Sequence, residues 1–115
     1  MKDLRTKKAL EKYIKHLKNN KEDGCPFCNR EGLKTFKYWK VIYNRFPYDR
    51  IAKEHHLLVP LRHINEDVLT KKELDELKSI KNGFIKDLKY QYILEGVVGY
   101  RSQPNHFHLH LIKLK

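Results

Sequence analysis

Apolar residues recur along this chain at two spacings, and the switches between them divide it into helices and strands. Over residues 2–20, Leu4, Ala9, Leu10, Tyr13, Ile14 and Leu17 fall near helical spacing with lysines on the other side, which predicts an amphipathic helix. Asn19, Asn20 and Gly24 supply its stop. Strands are predicted near Leu33 to Phe36 and Trp39 to Asn44, followed by a turn at Phe46-Pro47-Tyr48-Asp49. His55 to Pro60 is a further strand, stopped by its proline. Asn65 is placed to cap a helix, with Glu66 and Asp67 suited to its positive end. Val68, Leu74, Leu77, Ile80, Phe84, Ile85 and Leu88 carry that helix to about Lys89. Gly83 inside it costs roughly 1 kcal/mol relative to Ala, which points to a bend or close packing there. Tyr90 to Tyr100 and His106 to Leu114 are the last two strands, joined by a polar turn through Ser102 and Pro104. The order argues for an α+β domain, an antiparallel meander with an N-terminal helix and one long central helix.

At 115 residues the chain is a single domain, with room for one modest core. Residues 1–24 form its N-terminal helix and 25–115 the body. No apolar stretch approaches the length that spans a bilayer, and Met1-Lys-Asp-Leu-Arg-Thr-Lys-Lys lacks the apolar centre of a signal peptide. The expected location is the cytoplasm, with no membrane partner. The net charge of +11 raises encounter rates with polyanions. Yet 19 Lys outnumber 6 Arg and lie scattered along the chain. Dedicated phosphate and base readers lean on the Arg fork, so the excess reads mainly as solvated surface. Nucleic acid is therefore a possible partner but not the favoured one.

The chemistry concentrates at the C-terminal end. His106, His108 and His110 alternate with Phe107, Leu109 and Leu111. Alternation of this kind in a strand sets the three imidazoles on one face, about 7 Å from one to the next, and the apolar residues on the other. An affinity tag would be uninterrupted and polar around its histidines. Imidazoles that titrate near neutrality suit metal binding, nucleophilic catalysis or phosphate handling.

Cys25-Pro-Phe-Cys28 is a C-x-x-C pair, open to three readings: redox pair, half of a structural metal site, or inert. The redox reading wants a helix starting at the first cysteine, whereas this pair follows a helix and precedes a strand. A metal site needs two more ligands, which histidines can supply from a distance.

His106-Phe-His108-Leu-His110-Leu-Ile112 resembles the His-φ-His-φ-His-φ-φ signature (φ apolar) of the histidine triad (HIT) superfamily of nucleotide hydrolases and transferases. The stretch from Val41 through Asn44, Pro47 and His55 to Pro60-Leu-Arg-His63 is similar to that family's second block, and the resemblance extends from Cys25 to Lys113. It departs where members carry a small hydroxyl residue three positions before the first histidine; Gln103 stands there, with Ser102 before it. The stretch Glu95 to Gly99 also lacks the family's usual phosphate loop. The resemblance implies a HIT-like fold paired as a homodimer, with exposed-looking aromatics such as Tyr38, Trp39, Tyr43, Tyr90 and Tyr92 as thin support from the chain itself. It implies a nucleotide substrate cleaved at its α-phosphate, with His108 as nucleophile, His110 on the phosphoryl oxygens and His55 as an extra active-site histidine. Asn44 would contact the ribose, Ile42 and Phe46 would wall the base, and Ser102 or Gln103 would reach the phosphate. Branches with C-x-x-C imply a structural zinc held by Cys25, Cys28, His63 and His106. His56, on the opposite strand face, reads as surface, and His16 has no evident role. The alternative is a zinc-stabilised module without catalysis, binding nucleic acid or a protein through its basic surface.

Overall fold

The computed structural model describes residues 3–19, 25–101 and 103–115; Asn20, Gly24 and Ser102 lie outside them. The first helix, α1, spans Lys7–Asn19 and begins later than the apolar spacing alone suggests. Thr6 sets that start, because its hydroxyl oxygen accepts the Ala9 N–H at 3.3 Å and so satisfies one of the helix's free donors.

Five strands follow: β1 (Lys34–Thr35), β2 (Trp39–Tyr43), β3 (Ala52–Pro60), β4 (Tyr92–Leu94) and β5 (Leu109–Leu114). They form one antiparallel sheet in the order β1-β2-β3-β5-β4, so the architecture is α+β. The order departs from a pure meander at its end. The chain leaves β3, crosses through the helical segment, forms edge strand β4 and then returns with β5 into the space beside β3.

The second helix, α2, spans Lys71–Ile80 and is opened by Thr70, not Asn65. Thr70 and Glu73 form a reciprocal capping box, which satisfies two donors at once. Asn65 makes no side-chain cap and precedes only a short 3₁₀ turn, Glu66–Val68. Past α2 the chain widens into a π turn at Lys81–Ile85 that contains Gly83. A β-carbon on Gly83 would meet nothing within 4 Å, so the glycine marks the irregular turn and no close contact.

Two predicted strands prove shorter. Only Tyr92–Leu94 pairs from the first, and β5 begins at Leu109, after the first two histidines. Phe107 gives its N–H to the Ile64 carbonyl at 2.8 Å, a bond outside the sheet that holds this segment away from the ladder.

The sheet has two differently covered faces. Trp39, Val41, Leu58, Phe107, Leu109 and Leu111 pack beneath Leu77, Ile80 and Ile85. The wholly buried Trp39 donates its indole N–H to the Glu73 carbonyl at 2.8 Å and so pins α2 to the sheet. The other face carries a smaller cluster of Phe27, Ile42, Leu57 and Val59. Of the aromatics that looked exposed in sequence, Trp39 is core, Tyr38 and Tyr90 pack against the helix-side cluster, and Tyr43 and Tyr92 remain exposed. Among the described residues no helix is long and apolar enough to cross a membrane.

Candidate histidine site and metal centre

The register of β3 and β5 assembles the histidines. Leu57 lies opposite His110 and His55 opposite Ile112, which places His55 and His110 on the same face. The His55 and His110 rings meet, Nε2 to Nδ1, at 2.8 Å. His108 and His110 stand edge to face with centroids 5.2 Å apart. All three triad imidazoles and His55 are buried. The intervening Phe107, Leu109 and Leu111 lie in the helix-side core, as strand alternation requires.

Neighbouring backbone groups decide which nitrogen of each ring carries the proton. A carbonyl only accepts, so His106 Nε2 donates to the Pro60 oxygen at 3.0 Å, and His108 Nδ1 donates to the His106 oxygen at 3.1 Å. An amide only donates, so the Tyr48 N–H, 3.0 Å from His55 Nδ1, leaves the His55 proton on Nε2. That proton is given to His110 Nδ1, and the His110 proton therefore resides on Nε2. In neutral rings, His106 then has a free lone pair on Nδ1, His108 one on Nε2, and His110 a free N–H on Nε2.

The rings are indeed held neutral. Burial pushes His55 down to about 3, helped by the adjacent His110, and pushes His110 down to about 3, helped by His108 and Arg5. Burial also lowers His106 and His108, partly offset by the hydrogen bonds to Pro60 and His106.

The lone pair on His106 faces a cluster. Cys25, Cys28, His63 and His106 place one ligand atom each within 4.8 Å of all the others. Cys25 Sγ lies 3.2 Å and Cys28 Sγ 3.5 Å from His106 Nδ1; His63 Nδ1 is 3.4 Å from Cys28 Sγ and 3.2 Å from His106 Nδ1. These side chains lie close enough to hold a metal ion. Burial and the neighbouring Cys25 raise the Cys28 thiol, since two adjacent sulfurs resist ionising together. A bound cation reverses that preference.

The remaining sequence candidates fall in varied places. Asn44 is half-buried; its Oδ1 accepts the Phe46 N–H at 2.9 Å, and its Nδ2, 3.1 Å from His55 Nε2 and 3.3 Å from Nδ1, lies over the ring and in line with neither lone pair. Ile42 is wholly buried in the triad-side cluster. Phe46 packs under α1 against Tyr13 and His16, giving His16 a packing role. Gln103 is half-buried, and its carbonyl accepts the His106 N–H at 3.4 Å. His56 does point to the opposite face, but it is half-buried and hydrogen-bonded to the Tyr90 hydroxyl, not simple surface.

Three residues of this neighbourhood escaped the sequence reading. Tyr48 stacks on His110, Arg5 lies over Tyr48, and Lys40 is buried with its Nζ bonded to the Arg30 carbonyl at 2.7 Å. The only hint was a Tyr directly after the Pro47 turn. No model of a known protein family matches this chain, and no curated protein matches it either.

Proposed function

We propose that the protein is a HIT-type nucleotidyl hydrolase or transferase that works through a covalent nucleotidyl-histidine. The observation that carries this reading is the pairing of a lone pair on His108 Nε2 with a proton on His110 Nε2, on adjacent buried rings. His108 Nε2 attacks the α-phosphorus of a nucleoside phosphate ester, phosphoramidate or dinucleoside polyphosphate. The bond from phosphorus to the leaving group breaks, and its electron pair leaves with that group. The ring becomes cationic, and the Nδ1–H bonded to the His106 carbonyl spreads that charge. His110 Nε2–H donates to a phosphoryl oxygen as negative charge grows there. Water or another acceptor then displaces the nucleotidyl group and restores His108. His55 supports His110 from behind, and in this reading Asn44 and Gln103 would face the nucleotide, while Ile42 and Phe46, packed in the interior and under α1, would act only as backing.

The metal in this reading is zinc, in a structural role. Two thiolates and two neutral imidazoles are a favoured zinc donor set. A tetrahedron with ordinary zinc bond lengths has edges of about 3.3 Å between nitrogens and 3.6 Å between nitrogen and sulfur. The nitrogen pair at 3.2 Å and the Cys28 pairs at 3.4 and 3.5 Å agree with it, while Cys25 Sγ, 3.2 Å from His106 Nδ1, sits closer than that edge. Zinc bound there would join the C-x-x-C turn, the end of β3 and the start of the histidine strand. The same reading pairs two copies into a homodimer, which light scattering tests directly.

Intact-protein mass spectrometry after incubation with a panel of adenylyl and guanylyl substrates tests the chemistry. An adduct of one nucleotidyl group on His108 is expected. A protein that binds nucleotides but neither forms the adduct nor turns them over would be a binding module instead.

A further inference from the structure

Residues 3–6 run along the loop that connects β2 to β3 and are bonded to it at several points. Arg5 Nε donates to the Phe46 carbonyl at 2.8 Å. Thr6 gives its N–H and its hydroxyl to the two Asp49 oxygens at 2.7 and 2.9 Å. Arg50 returns a backbone N–H to the Leu4 carbonyl at 3.1 Å.

The loop held in this way is the one that supports the histidines. Its Tyr48 touches both imidazoles, His55 with its amide and its ring and His110 with its ring. The backbone N–H of Tyr48 determines the His55 tautomer, and its ring stacks on His110 with centroids 5.0 Å apart and planes 26° apart. Arg5 is buried, with its guanidinium 4.7 Å from the Tyr48 centroid and 4.2 Å from that of Tyr13. Burying a guanidinium is costly even with the Asp3 carboxylate paired to it at 3.4 Å, and α1 already has Tyr13 and His16 on Phe46 and Thr6 on Asp49 to dock it. Anchoring the helix does not call for an arginine at position 5. Holding Tyr48 against two imidazoles does, because the planar cation both packs on the ring and bonds the carbonyl two residues before it.

We propose that Arg5 and Tyr48 are positioning residues, through which the N-terminal segment sets the orientation and tautomers of His55 and His110. The inference rests on the preceding reading of the site for what those rings are positioned to do.

Long-range ¹H–¹⁵N NMR of the histidine rings, recorded on the full-length protein as purified, tests it without needing a substrate. The wild type should show His55 and His110 each as a single Nε2–H tautomer. Tyr48→Phe, which keeps the ring and the amide, should retain both signals. Arg5→Met and Tyr48→Leu should each convert His110 to a mixture, and with a nucleotide substrate should lower kcat by roughly 10- to 100-fold with KM little changed, the scale of a small misplacement. Wild-type tautomers in either variant would overturn the proposal. Should Tyr48→Leu fail to fold, Arg5→Gln decides on the same signals. A wild type with fixed tautomers and no nucleotidyl transfer would defeat the functional reading while leaving the clasp intact.

Discussion

The His108 ring turns back along its own chain and gives its Nδ1 proton to the carbonyl of His106, 3.1 Å away. This bond and a second one to Pro60 leave a different ring nitrogen free on each histidine. His106, tied by Nε2 to Pro60, offers Nδ1 to the cysteine cluster, while His108 keeps its lone pair on Nε2. Two histidines separated by one residue, just ahead of β5, thus present different nitrogens.

The triad positions should separate in mutagenesis. His108→Ala should lose several orders of magnitude in turnover, as when a unit of covalent catalysis is broken, and keep nucleotide affinity nearly intact. His110→Ala removes one donor to the developing charge and should cost a factor of roughly 10²–10³. Steady-state kinetics with nucleotide binding measured alongside check both. Wild-type turnover in His108→Ala would end the covalent mechanism.

Metal binding should appear as folding stability. Elemental analysis should find one zinc per chain, and Cys25→Ser or Cys28→Ser should lower both the zinc content and the melting temperature. A loss of even about 3 kcal/mol corresponds to a drop of roughly 10 °C for a domain near this size. Melting curves unmoved by either substitution would make the cysteines bystanders.

The sequence carried some of this arrangement plainly. Alternation from His106 to Leu111 was legible because a strand has a period of two, and the sides taken by the imidazoles and by Phe107, Leu109 and Leu111 follow from it. The start of α2 was misread because Asn65 with Glu66 and Asp67 imitates a cap, and the reciprocal Thr70–Glu73 pair five residues later does the capping. Neither the proton positions nor the clasp could be read, since both depend on groups brought together by folding: the Pro60 carbonyl, the Tyr48 amide, and Arg5 some forty residues from its partners. The complete ligand set was visible only through resemblance, because His106 and Cys25 stand far apart in the chain and touch only in the fold.

Acid should weaken the contact between α2 and the end of β3. The Arg62 hydrogen bond, with those from Thr70, holds the Glu73 carboxyl below its ordinary value of 4.5 against the opposing effect of burial. A carboxyl depressed on folding contributes stability above its unfolded value, and that contribution fades as pH falls through the folded one. Glu73→Gln should therefore be less stable than wild type at neutral pH, with the gap closing below about pH 4. Denaturant titrations of both proteins across pH 3–7 measure this, and loss of metal in acid cancels in the comparison. A gap that stays constant with pH would mean the Glu73 charge contributes nothing.

Lys40 should govern how firmly the cysteine cluster would hold a metal ion. Its ammonium is buried, bonded to the Arg30 carbonyl at 2.7 Å and 3.4 Å from the Cys28 carbonyl. It therefore braces the turn that presents the sulfurs. Burial lowers the Lys40 pKa, while the opposite charge of the cysteines, Cys28 foremost, works to raise it. Two thiolates at the metal would thus stabilise the lysine cation, and the cation would stabilise them. Lys40→Met keeps the stem's bulk and removes the donors and the charge. Metal affinity should then fall by about 10- to 100-fold, as when a supporting partner behind a ligand is removed. Competition with a chromogenic chelator measures this; a curve that overlays the wild type would show that the turn is braced without Lys40.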